Sequence, residues 1–178
     1  GDFFNNKVLQ QAVDWSKDRD SQLHLVGSLP SQNSNSKLEH LLSLIELAER
    51  QDLKDQIALH LFVDKNDKKH FENLLDKIDE SCIATISRKD CALNQAGDYK
   101  KIKKAHKAIF SADGKSLPKP QQVFDEEDKV FVRPDYTGLR EGDSVLFFNY
   151  DPEDIRRLTK SMSLPVFNKF DREYIQDI

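Results

Sequence analysis

The chain predicts an α/β fold, a three-layer α/β/α sandwich built on a mostly parallel sheet, and three observations lead there. Short apolar runs of strand length recur at Gln22–Gly27, Gln56–Val63, Cys82–Ile86 and Ser144–Phe148. Stretches with apolar residues at helical spacing separate them. Turn-forming residues fall between the two kinds of segment, and strands alternating with helices are the signature of parallel βαβ units.

The elements follow in order. Asn5 or Asn6 can cap a first helix running to about Arg19, with Val8, Leu9, Ala12, Val13 and Trp15 as its apolar stripe. Gln22–Gly27 is the first strand. Ser36 precedes an amphipathic helix carrying Leu38, Leu41, Leu42, Leu44, Ile45, Leu47 and Ala48. The unbroken run Gln56–Val63 reads as a central strand, buried on both faces. A helix over Lys68–Ile78 and a strand over Cys82–Ile86 come next, then a long helix over Tyr99–Phe110. Residues 111–128, with Gly114, Pro118 and Pro120, form a loop. Val130–Val132 is expected as an edge strand and Ser144–Phe148 as a buried parallel strand. Asp151 then caps a helix with Pro152 in its first turn. Residues 163–178 are an irregular tail.

At 178 residues the chain is expected to be a single domain over 1–178. A charged content of 33% and a mean hydropathy of −0.67 describe a well-solvated surface. No apolar run approaches the ~18 residues of a membrane-spanning helix. The net charge of −4 gives no global pull toward nucleic acid or an anionic membrane. Cys82 and Cys91, with eight residues between them, are read as reduced thiols in a cytoplasmic setting. The histidines show no metal-ligand spacing, and His24 and His60 are expected as satisfied core or sheet-face residues.

In a sheet of this kind ligands bind in the loops at the carboxyl ends of the strands. Those loops carry a resemblance. The run from Leu23 to Leu41 is similar to L-H-L-x-G-L-L-S-D-G-G-V-H-S-H-x-x-H-L, agreeing at Gly27, Leu29, Ser36, Glu39, His40 and Leu41. His60–Asp67 resembles H-x-F-x-D-G-R-D, and Ala84–Gln95 resembles A-T-x-S-G-R-Y-Y-x-M-D-R. Phe147–Arg156 resembles F-F-N-F-R-P-D-R-A-R. These are runs of the cofactor-independent phosphoglycerate mutases. The resemblance extends from Phe3 to about Asp171 and covers one of that family's two domains, the inserted phosphotransferase domain that positions substrate.

The resemblance implies an isomerase ancestry, with interconversion of 3- and 2-phosphoglycerate in glycolysis. It also implies that the nucleophilic serine and two manganese ions belong to the other domain, so no cofactor or metal is expected in this chain. Residue by residue, the family's catalytic histidine falls on Asn35 and its catalytic aspartate on Asp67. Its substrate arginines fall on Asn66, Lys89, Gln95, Asp151 and Asp154. Five arginines and one aspartate make the family's set net +4, whereas one lysine and three aspartates make this one net −2. An arginine fork matches phosphate bidentately, and an aspartate repels it. Unit charges about 5 Å apart at an effective dielectric of about 20 interact by roughly 3 kcal/mol, so inversion at two positions shifts phosphate affinity by several kcal/mol. Loss of the histidine removes the side chain best suited to proton transfer near neutral pH.

The expectation is a domain that kept its core and lost its chemistry, a pseudoenzyme-like binding or structural module contacting a protein partner, an adjoining metal-binding domain, or an uncharged or cationic ligand. The alternative is a fragment of a divergent but active mutase. Asp151 and Asp154 equally suit the capping of a helix. The lysines of Lys100–Lys107 form a solvated helix face, and no nucleic-acid partner is expected from them.

Overall fold

A computed structural model describes residues 3–32, 34–93, 96–117, 123–124 and 130–178. The elements run α1 (Lys7–Arg19), β1 (Leu23–Ser28), α2 (Leu38–Glu49), β2 (Ile57–Val63), α3 (Lys68–Leu75), β3 (Ile83–Arg88), α4 (Lys89–Ala92), α5 (Tyr99–Ser111), β4 (Lys115–Ser116), β5 (Val130–Val132), β6 (Ser144–Phe147) and α6 (Pro152–Ser163). Six strands form one sheet in the order β4-β5-β3-β2-β1-β6. The strands β1, β2, β3 and β6 are mutually parallel where they pair, and β5 runs antiparallel to β3.

Each residue of β1, β2 and β3 is buried, because helices cover both faces of the sheet. Alternation along the strands then sorts the core into two layers. Leu25, Leu59, Leu61 and Ile86 pack with Leu41, Leu44 and Phe71 of α2 and α3. Val26 and Phe62 face the other way and pack with Ile102, Ala105 and Ile109 of α5 and Leu158 and Met162 of α6. Caps set the helix starts. Asn6 accepts from the Val8 and Leu9 amides at 3.0 and 3.3 Å, and Asp98 accepts from the Lys100 amide at 3.0 Å.

Five expectations need correction. Val130–Val132 is not at the edge: it lies between β3 and β4, and the short strand Lys115–Ser116 is the outermost. That strand interrupts the stretch expected as loop over 111–128, whose residues 118–122 and 125–128 lie outside the described residues. The Val132 carbonyl accepts from the Leu117 amide at 2.7 Å, so pairing continues just beyond it. The third strand reaches Arg88 rather than ending at Ile86, because Ser87 and Arg88 stay in register with Phe62 and Val63. Ser144–Phe147 is parallel as expected but takes the opposite edge beside β1, which leaves Val145–Phe147 only half-buried. The third helix stops at Leu75, three residues short of Ile78. Beyond Ser163 the chain has no helix or strand, and Phe167 and Phe170 settle it against Tyr99 and His106.

Candidate functional site

The parallel strands end on one side of the sheet, and the loops leaving them build the candidate site. Two loops from neighbouring strands, those after β1 and β6, are tied together at their bases. The Ser28 amide donates to Asn149 Oδ1 at 2.8 Å, and Asn149 Nδ2 donates to Ser28 Oγ at 3.2 Å. The Ser36 hydroxyl donates to the Ser28 carbonyl at 2.7 Å. Higher up, the Tyr150 amide donates to the Asn35 carbonyl at 2.9 Å and the Tyr150 hydroxyl to the Ser34 carbonyl at 3.0 Å.

These anchors bring Asn35, Asp151 and Asp154 into one cluster. Asn35 Nδ2 donates to Asp154 Oδ2 at 2.6 Å and to Asp151 Oδ2 at 3.3 Å. Asp151 uses its other oxygen to cap α6, accepting from the Glu153 amide at 3.0 Å. Both aspartates stand at the helix N-terminus, where the helix dipole favours negative charge. The Asn35 side-chain amide and the α6 N-terminus thus supply partners to both carboxylates.

A second cluster stands at the ends of β2 and β3. Asp67 closes the short turn Lys65–Asp67 that precedes α3. Its Oδ2 accepts from the Asp64 amide at 2.8 Å and from Lys89 Nζ at 2.9 Å, and the residue is 5% exposed. Asn66 sits exposed in the same turn. Gln95 lies outside the described residues. The structure thus groups Asn35 with Asp151 and Asp154, and Asp67 with Lys89, while Asn66 makes no side-chain bond in either group among the described residues.

One cationic side chain at this end escaped the sequence reading. Arg88, the last residue of β3, is 6% exposed and places Nη2 3.5 Å from Asp64 Oδ1. The resembling run carries glycine there, so no matched role drew attention to it. The available signal was only an arginine just past the apolar run of the third strand. Among the described residues, no group of three or more His, Cys, Asp or Glu side chains is arranged to hold a metal ion, and no helix is long and apolar enough to cross a membrane. The lysine-rich face of α5 is partly neutralised, with Lys101 on Asp90 at 2.7 Å and Lys107 on Asp113 at 3.0 Å.

Fold and site together define an α/β domain that gathers two polar side-chain clusters at the carboxyl ends of its parallel strands. The family described as BPG-independent PGAM N-terminus (iPGM_N) matches residues 1–178, and the chain belongs to it. The 2,3-bisphosphoglycerate-independent phosphoglycerate mutase of Clostridium botulinum (strain ATCC 19397 / Type A) is 31% identical over 97% of the chain. That of Clostridium perfringens (strain SM101 / Type A) is 29% identical over 98%. In both cases the chain spans 38% of the relative's length, so a full-length relative has a further region beside the part matched here. The solved phosphoglycerate mutase of Leishmania mexicana superposes with a TM-score of 0.81 over 98% of this chain and 37% of its own, at 18% identity, a likeness of fold.

Proposed function

We propose that this chain is the substrate-positioning domain of a phosphoglycerate mutase-like protein in which phosphate binding has lapsed, leaving a binding or structural module. Its partner is an adjoining metal-binding domain or another protein. One observation carries the reading: Asn35 donates to both Asp151 and Asp154, so the positions matching a histidine and two arginines form a closed, net-negative cluster. A phosphate dianion entering there meets two carboxylates and no cation from those three positions. Lys89, the one matched position that keeps a positive charge, is engaged by Asp67.

Titration of the chain with 2- and 3-phosphoglycerate, followed by amide chemical shifts, tests the proposal. No saturable shift is expected at Asn35, Asp151 or Asp154. Saturation at those residues at millimolar concentration or below overturns it.

The contact of Lys89 with Asp67 favours a second reading, a divergent mutase that keeps this pair and works with a domain holding two manganese ions. Such a protein would be a glycolytic, cytoplasmic isomerase. Mutase turnover by the full-length protein with manganese would support this reading, and absence of turnover would remove it. The ion-paired lysines of α5 support a solvated face, and we expect no nucleic-acid partner for them.

A further inference from the structure

Arg88 has donors left over. The residue is 6% exposed, and its Nη1 is buried with no hydrogen-bond partner among the described residues. Its Nη2 approaches Asp64 Oδ1 at 3.5 Å, a loose contact to a carboxylate whose side chain is 63% exposed. A guanidinium cannot shed its charge to relieve burial, as a lysine or histidine can. A buried cationic donor without an acceptor is therefore a position that a ligand oxygen would complete. It stands at the carboxyl end of a parallel strand, where such sheets bind ligands.

We propose that Arg88 receives the carboxylate of a small monocarboxylic acid. Local charge selects the class. Arg88 and Lys89 are balanced by Asp64 and Asp67, which lie 3.5 and 2.9 Å from them, so the neighbourhood is neutral before a ligand arrives. A monoanion leaves one net negative charge among these groups, and a phosphate dianion leaves two. The planar fork of guanidinium also matches a carboxylate geometrically. The burial of Arg88 restricts the occupant to a small group. This rests on the reading above and deepens it by naming what this end of the sheet binds once phosphate binding is gone.

Acetate is the probe, titrated at constant ionic strength against inorganic phosphate and chloride. Saturable shifts are expected at the amides of Ser87, Arg88 and Lys89, with acetate binding more tightly than phosphate and chloride without saturation. Acetate should also raise the urea midpoint, because a ligand bound only to the folded state stabilises it. Arg88→Met should abolish both responses. Arg88→Lys, which keeps the charge and loses the fork, should weaken acetate roughly tenfold and serves if the first variant does not fold. Absence of saturation, an undiminished response in both variants, or tighter binding of phosphate overturns the assignment. An acetate failure alongside silent Asn35, Asp151 and Asp154 in phosphoglycerate leaves the lapsed-site reading standing. Phosphoglycerate saturation at those three residues overturns that reading separately.

Discussion

His24 and His60 show what a buried polar residue must satisfy. Asp143 Oδ2 lies 3.0 Å from His24 Nε2, His24 Nδ1 lies 2.9 Å from His60 Nε2, and His60 Nδ1 lies 2.9 Å from Thr85 Oγ1. With Asp143 ionised, one direction of donation satisfies all four groups. Thr85 donates to His60, His60 Nε2–H to His24, and His24 Nε2–H to Asp143, with both rings neutral. Asp143 accepts two further bonds, from the Gln22 amide at 2.9 Å and the Arg140 amide at 2.7 Å. Asn in its place turns one acceptor oxygen into a donor facing other donors. Asp143→Asn should therefore destabilise the fold by about 2–4 kcal/mol, read as a urea midpoint shift at constant slope. A loss under ~0.5 kcal/mol would mean that the chain of bonds does not hold the strands together. The histidines were legible as core residues because they sit inside apolar strands. Their acceptor was not, because Asp143 is 119 residues from His24 and lies in a turn with no periodicity. The same limit hid Arg88, whose burial depends on strand pairing. Asn35, Asp151 and Asp154 could be grouped beforehand only because the resemblance aligned two distant loops.

At the scale of single elements, β1 and the residue after β6 meet through a glycine. A Cβ on Gly27 would lie 2.6 Å from Phe148 Cε2, with two more ring atoms at 2.7 Å. Phe148 is 6% exposed and has nowhere to swing without leaving the core beneath the candidate site. Gly27→Ala should cost about 1–3 kcal/mol by overpacking. Phe148→Leu in the same chain should recover part of that loss, giving a double-mutant cycle with a coupling of at least ~0.5 kcal/mol. Additive losses would show that the ring and the glycine do not meet. The element scale is also where sequence reading did best and then stopped. The parallel strands and their helices were visible because burial on both faces writes an unbroken apolar run. The order of strands was not, since no residue in Val130–Val132 records that a two-residue strand, Lys115–Ser116, covers its outer side. Helix ends slipped where capping decided them: α3 closes at Asp76, although the apolar Ile78 continues the pattern.

For the whole molecule, buried titratable groups should give stability a defined dependence on pH. Burial, followed by electrostatic repulsion of a second proton beside His24 and Arg133, holds His60 well below the ordinary 6.5. Burial, followed by Arg172, lowers His106 to about 3. Both rings gain a proton in the unfolded chain near pH 6.5 and resist it in the folded one. Below that pH the unfolded state binds more protons, so stability falls as acid is added. Asp143 extends the same trend: burial pushes its carboxyl up, but the hydrogen bond from His24, with those from the Arg140 and Gln22 amides, brings it below 3.8. Its contribution is present above 3.8 and is lost as pH falls below that value. On the alkaline side burial, reinforced by Asp79, pushes the Cys82 thiol up to about 12 from 9.0, so the unfolded thiol ionises first and stability declines above pH ~9. Urea midpoints should accordingly show a plateau between about pH 7 and 8.5 and fall on both sides. His106→Phe isolates one term. The ring stacks 4.2 Å from Phe110 and meets Phe170 edge-on at 5.2 Å, surroundings that accept a phenyl group. Its partner Ser161 keeps a hydrogen bond to the Leu158 carbonyl at 2.7 Å. The variant should take up about one proton fewer on unfolding at pH 5 and show a shallower acid limb, with the alkaline limb unchanged. An acid limb as steep as that of the native chain would place the titrating groups elsewhere, since the substitution removes the proton site while preserving the packing that lowers its affinity.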